Sequence, residues 1–191
     1  MEGEMKTQML PTASHVFFVS RHEVYQHRAF SDPWDQNQFI QLMVKHLLPE
    51  TQPLAYCILH DTYQMLLYVP KYAHEEDVKS KFILPIETDY QSHLNRKKNR
   101  NNTILSFSGE ISLVPPYLIK QRICEIHEQP VLHLLCEHPL QWQYSSYPSI
   151  LLREALLIDP WLSSGLFGGI RGMKEAHQSY LLRARQLSGA L

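Results

Sequence analysis

Residues 54–70, LAYCILHDTYQMLLYVP, decide how this 191-residue chain is read. Two runs rich in β-branched and aromatic residues, 55–59 and 63–69, flank a polar interruption at His60, Asp61 and Thr62, the pattern of a hairpin or a kinked central strand. Within the second run Tyr63, Met65, Leu67 and Val69 fall on one face, and Thr62, Gln64, Leu66 and Tyr68 on the other. One face is therefore wholly apolar, and the other opens on two polar residues.

Working outward, residues 15–21, HVFFVSR, form a short apolar run ending in a charge and read as the first strand, after a loose leader over residues 1–14. Ser31 and Asp32 precede Pro33, and Phe39, Ile40, Met43, Val44, Leu47 and Leu48 recur at helical spacing, which predicts a helix over 33–48. Prolines at 49 and 53 end it. Val78, Phe82, Ile86, Tyr90 and Leu94 form a second helical stripe over 77–95, with Pro85 expected to kink it or split it at Leu84. Residues 104–114 alternate as a further strand. Pro115 and Pro116 open a helix over 117–128 with Leu118, Ile119, Ile123 and Ile126 on its apolar side, and a last amphipathic helix covers 172–187. This order is that of an α+β, ferredoxin-like domain over residues 15–144: an antiparallel sheet of four or five strands with helices on one face. Residues 145–191 read as a helical C-terminal extension packed on or near it.

Composition bounds the function. Hydrophobic residues make up 44% and charged residues 19%, as in an ordinary globular domain with a substantial core. No run reaches the ~20 apolar residues of a membrane helix, and MEGEMKTQML lacks the basic start and apolar stretch of a signal peptide, so a cytoplasmic protein without a membrane partner is expected. Cys57, Cys124 and Cys136 are too few and too scattered for a disulfide framework. Net charge is -1, whereas a duplex-binding domain is strongly basic, so any electrostatic footprint must be local. The densest basic group is NRKKNRNN, residues 95–102, with Arg96, Lys97, Lys98 and Arg100; a solvated helix end would read the same way.

Residues 54–70 also resemble the "AYVLMPNHVHLLL" strand of the single-tyrosine HUH transposases, among them the REP-associated tyrosine transposases. Ala55, Tyr56, Leu66 and Leu67 match, and the family's two metal-binding histidines fall on Thr62 and Gln64. The resemblance continues in order from residue 16 to residue 182. HVFFVSR is similar to "YHVTSRG", with Ser20 and Arg21 in register, and YQSHLNR (90–96) to "YxxYxNR". FSGEI is similar to "WQGRF", with the family's arginine on Glu110, and EIHEQPV to "YIHLNPV", with the nucleophilic tyrosine on Glu125. QWQYSSY, WLSSGLFGG and the Ala176–Tyr180 spacing resemble its "DYPWSSY", "WLLGLFG" and "AxxxYxxF" segments. In that family the histidines hold a divalent cation such as Mg²⁺ or Mn²⁺ that polarises the scissile phosphate, and the tyrosine attacks it. Here Thr62, Gln64 and Glu125 stand at those positions, so no catalytic residue is intact and no metal or other cofactor is expected. A hydroxyl and an amide are feeble ligands beside imidazoles, although with Glu125 they could form a weak oxygen site. A glutamate cannot replace the tyrosine, since it brings negative charge to a phosphate and would form a labile mixed anhydride.

The reading that follows is a nucleic-acid-binding, regulatory protein that recognises a DNA hairpin or structured single strand, or RNA, without cleaving it. Arg96, Lys97, Lys98, Arg100 and Arg21 are its candidate contacts, and a homodimer is open to it. The competing reading is a protein-interaction module, favoured by the near-neutral charge and by Glu110; an active transposase with substituted ligands ranks third. Cys124, His127, His133, Cys136 and His138 spell C-x2-H-x5-H-x2-C, but the short spacer and the lack of glycine turns argue against zinc. His60 with Asp61 reads as a turn rather than an acid/base pair, Ser145 and Ser146 as turn or cap residues, and Trp142, Tyr144, Tyr147 and Trp161 chiefly as packing residues that could also stack on bases.

Overall fold

The computed structural model describes residues 15–24, 29–48, 50–69, 74–97, 105–154 and 156–188. The leader over residues 1–14, together with Lys98 and Arg100, lies outside the described residues. Four strands, β1 (His15–Glu23), β2 (Gln52–Ile58), β3 (Thr62–Val69) and β4 (Phe107–Leu113), form one antiparallel sheet in the order β2-β3-β1-β4. That is the ferredoxin-like order, with the hairpin of residues 54–70 supplying β2 and β3. The Leu59 N–H donates to Thr62 O at 2.8 Å to close the turn, while Phe30 N–H and Glu23 N–H donate to His60 O and Asp61 O. The polar interruption therefore caps neighbouring backbone. Around Pro53 the register slips by one residue at a bulge, a position an edge strand tolerates.

Alternation assigns the two faces. Tyr63, Met65, Leu67 and Val69, with Phe17 and Val19 of β1, pack against α1 (Pro33–Leu47) through Phe39, Ile40, Met43 and Leu47 and against α3 (Leu84–Lys97) through Ile86, Tyr90 and Leu94. These are the helices of the ferredoxin-like unit, on one face as the element order implies. The opposite face is also covered: Val16, Phe18, Ala55, Leu66 and Tyr68 meet Ile119, Ile123 and Ile126 of α4 (Ile119–Leu132). Tyr147 and Ile150 of α5 (Ser146–Leu152) and Met173 of α7 (Ile170–Ser188) join the same core, with α6 (Pro160–Gly165) between them. No helix of the described residues is long and apolar enough to cross a membrane.

Local chemistry fixes the element ends. Asp32 caps α1, accepting from Trp34 N–H and Asp35 N–H at 3.0 Å each, and Pro33 takes the first helical position, where no donor is needed. Near Pro85 a short helix gives way to a longer one that begins at Leu84, without a break in the helical run. The run continues from α2 (Glu75–Val78) through a π-helical turn at Lys79–Ile83 into α3, where Leu84 N–H bonds Lys79 O. The wider turn re-pairs the backbone just before a residue that has no N–H to donate. Gly109 has φ 145°, and a Cβ there would sit 2.0 Å from Ser20 O, so only glycine lets β4 lie against β1.

Arg21 carries the one formal charge in the centre of β1, and it is turned inward. Its guanidinium makes a two-pronged contact with Glu87 of α3, at 2.9 and 3.1 Å, and a 2.7 Å bond to Phe107 O, while Tyr63 Oη donates to the same carboxylate at 2.7 Å. Burial and the adjacent Glu87 carboxylate push the Tyr63 phenol well up, so it stays a donor. With 7% of its surface exposed, Arg21 ties β1 and β4 to α3. Glu87→Ala would strand the guanidinium without a counter-charge, and urea unfolding should show a loss of roughly 3–5 kcal/mol. The double replacement Arg21→Met with Glu87→Leu should recover most of it.

Candidate functional site

The apolar stripe of α4 covers only the half of its sheet face that is itself apolar. Beyond Phe18 and Leu66 the register places Ser20 opposite Gln64 and Glu110, and His22 opposite Thr62 and Ser108. Directly paired residues share a face, so these six side chains form a polar shelf at the end of the sheet where β3 and β4 begin. The shelf is open: His22, Ser108 and Glu110 are exposed, and Ser20, Thr62 and Gln64 are half-buried. Gln64 Nε2 donates to Ser20 Oγ at 3.4 Å, Thr62 Oγ1 to Asp61 Oδ1 at 3.1 Å, and Ser112 Oγ to Glu110.

Glu125 stands on α4, the helix that borders this shelf. Arg122 Nη1 donates to its Oε2 at 2.7 Å and Gln121 Nε2 to its Oε1 at 2.8 Å. The Arg122 guanidinium lies 4.5 Å from the centre of the Phe18 ring, at the boundary between covered and open sheet. Thr62 and Gln64 thus share the shelf, and Glu125 meets its edge through Arg122. Their donor set does not fit a divalent cation: a hydroxyl and an amide are engaged with Asp61 and Ser20, and the one carboxylate is held by a guanidinium. Among the described residues no group of three or more His, Cys, Asp and Glu side chains could hold a metal ion.

The basic group on α3 is divided. Lys97 Nζ donates to Asp32 Oδ2 at 2.6 Å and Asp35 Oδ1 at 2.7 Å, which commits its charge to the start of α1. Arg96 is exposed and, among the described residues, donates to Ser92 O in its own helix. β4 begins at Phe107, opposite Glu23 and beside Ser108, at the shelf end of the sheet.

The C-x2-H-x5-H-x2-C residues serve other ends. His127 is fully buried, with Nδ1 2.9 Å from His177 Nε2 and Nε2 2.7 Å from Ser146 Oγ. His177 Nδ1 lies 2.8 Å from Met173 O, and Ser146 Oγ accepts from Tyr56 N–H at 2.9 Å. With both histidines neutral, as their burial favours, one proton arrangement satisfies these contacts: Tyr56 N–H to Ser146, Ser146 O–H to His127, His127 Nδ1–H to His177, and His177 Nδ1–H to Met173 O. His133 ends α4 in the open, and His138 Nδ1 accepts from Leu140 N–H. Ser145 caps α5, as its sequence position suggests, whereas Ser146 has a buried base beside it that the sequence did not reveal. Ser146 is wholly buried, so the pair cannot reach a substrate. Of the aromatics, Tyr144 and Tyr147 are core residues, Trp142 Nε1 donates to Ile58 O at 2.9 Å, and Trp161 is exposed beneath Arg153, 4.3 Å away.

No protein-family model matches the chain, and no curated protein matches its sequence. A solved structure of a REP-associated tyrosine transposase bound to a REP hairpin is similar in fold, with a TM-score of 0.55 at 12% identity over 80% of this chain and 87% of that one.

The histidine chain sets a pH window. Burial pushes His177 down to about 4, against its bond to Met173 O and with His138 adding to the drop, and burial beside His177 drives His127 well below the usual value. Unfolded histidines titrate near pH 6.5, so below that the unfolded chain binds more protons. This stability is fully present above about pH 6.5 and is lost as pH falls toward the folded values. Urea midpoints should drop between pH 7 and 5, with His177 alone contributing roughly 2 kcal/mol. The slope of His177→Gln over that range should be shallower; an equal slope would remove His177 from this role.

Proposed function

We propose that this protein binds a nucleic-acid hairpin or structured single strand on its open sheet shelf and does not cleave it. The observation that carries the reading is the shelf itself: a half-sheet lined by Ser20, His22, Thr62, Gln64 and Ser108, left uncovered in a fold similar to a chain solved with a hairpin. Hydroxyls, an amide and an imidazole suit phosphate and sugar oxygens, contacts that position a nucleic acid without reading its sequence. Arg96 ends α3 exposed, and Lys98 and Arg100, which follow it in sequence outside the described residues, are proposed as further phosphate contacts, whereas Lys97 is shared with Asp32 and Asp35 and Arg21 with Glu87. The chemistry of cleavage has lost its supports: Thr62 and Gln64 are poor ligands, and the Glu125 carboxylate, tied to Arg122, cannot form a stable phosphate ester. Binding therefore needs no divalent cation. Occupying a hairpin without breaking it is a regulatory act, since it denies the site to an enzyme that would. Glu110, set on the shelf where a basic group would help, favours the protein-interaction reading, which the same experiments decide between.

Fluorescence anisotropy with hairpin DNA and structured RNA at several salt concentrations should show binding that is unaffected by EDTA. With about three phosphate contacts, the slope of log affinity against log salt should be near -2. Replacing Arg96, Lys98 and Arg100 by alanine should flatten it for all sequences alike. Absence of salt-sensitive binding to either nucleic acid would leave the interaction module as the better reading.

Incubation with Mg²⁺ or Mn²⁺ and a hairpin-bearing single strand should yield neither a nick nor a covalent adduct, even after Thr62→His and Gln64→His. A protein–DNA band that survives denaturation would contradict the loss of cleavage.

A further inference from the structure

Behind α4, on the side away from the shelf, a groove of about 540 Å³ runs between α4 and α7. Its lining is mostly apolar, with Cys124, Phe167 and Ala176 among the walls and the half-buried Tyr180 beside them. Lys120 and Arg183, both exposed, stand at its rim, and Lys120 Nζ lies 6.0 Å from the centre of the Phe167 ring. Among the described residues, Arg21, Lys45, Lys79, Lys97, Arg122 and Arg171 each pair with a carboxylate, whereas Lys120 and Arg183 do not. Glu125 also lines the groove, but Arg122 neutralises it, so the net charge at the mouth is positive.

An apolar slot with aromatic walls and two uncommitted cations at its mouth is complementary to a planar ring carrying an anionic group. Sites of this size hold small molecules, and stacking with flanking cations is how single-stranded bases are held. We propose that the groove takes an unpaired nucleotide from the single strand adjoining the duplex part of a bound hairpin, its base against Tyr180 and Phe167 and its phosphate between Lys120 and Arg183. This rests on the reading of the shelf as a nucleic-acid surface. The two sites are neighbours, because Arg122 lies over Phe18, two residues before Ser20 of the shelf, and holds Glu125, which lines the groove with Lys120 and Cys124. A strand leaving the shelf need only cross one helix, about 10 Å wide.

The test compares a blunt hairpin, the same hairpin with a short unpaired tail, the tail sequence alone, and free nucleoside monophosphates, each titrated into the intact protein. The tail should tighten binding on the order of ten- to a hundredfold. Tyr180→Ala should remove that gain and leave the blunt hairpin unchanged, and Tyr180→Phe should keep it. Lys120→Glu with Arg183→Glu, two exposed positions that do not endanger folding, should also remove it. A gain that is absent, or that survives both kinds of variant, overturns the proposal, as does tight competition by the monophosphates. If the blunt hairpin fails to bind but the tail alone binds and depends on Tyr180, the shelf reading falls and the groove stands. If neither the tail alone nor the tailed hairpin responds to Tyr180, the groove falls whatever the blunt hairpin does.

Discussion

Much of the molecule hangs on one buried file of hydrogen bonds, from Tyr56 N–H through Ser146, His127 and His177 to Met173 O. It joins the edge strand β2, the start of α5, the middle of α4 and the first turns of α7, four pieces far apart in the chain. Each member is buried, and each has its partner, so the polar atoms cost little while the arrangement is intact and a great deal if one is removed. Burial keeps both histidines neutral. Hydrophobic packing alone would let α4 rotate or slide on the sheet; this file holds it at one angle and one height.

That fixed position of α4 creates the two surfaces with chemical interest. Because its apolar stripe stops with Phe18 and Leu66, the polar continuation of the same strands remains open as the shelf. α7 is tied to α4 through His177, and the groove lies along the two helices beside that tie. The pair of Glu125 and Arg122 marks the ridge that separates shelf from groove. On the opposite face the Arg21–Glu87 contact performs a comparable task, holding α3 to β1 and β4 so that the sheet is rigid under the shelf.

The hairpin of residues 54–70, its two faces and the order of elements were legible in the sequence, since alternation and helical spacing are local signals. Pro85 marked the place where a short helix gives way to a longer one beginning at Leu84, but the π turn between them leaves no mark in the spacing. Arg21 and Lys97 looked available as phosphate contacts. Their acidic partners are 66, 65 and 62 residues away, and only folding brings them together. The same applies to Ser146, whose base lies 19 residues earlier, and to His177, 50 residues beyond His127. Thr62, Gln64 and Glu125 were singled out by their positions in the sequence, and the structure puts the first two on one sheet face. His22, Ser108 and Arg122 were not, since nothing in a single chain says which strand ends a helix leaves uncovered.

Hydrogen–deuterium exchange of the intact protein, with and without hairpin DNA, tests the central claim most directly. Seating on the shelf should slow exchange in β1 around Ser20 to His22, at the start of β3 and in the first half of β4, while α1 and the α1-facing side of α3 stay unchanged. Protection confined to α1 and α3, or no protection anywhere at saturating hairpin, would contradict it.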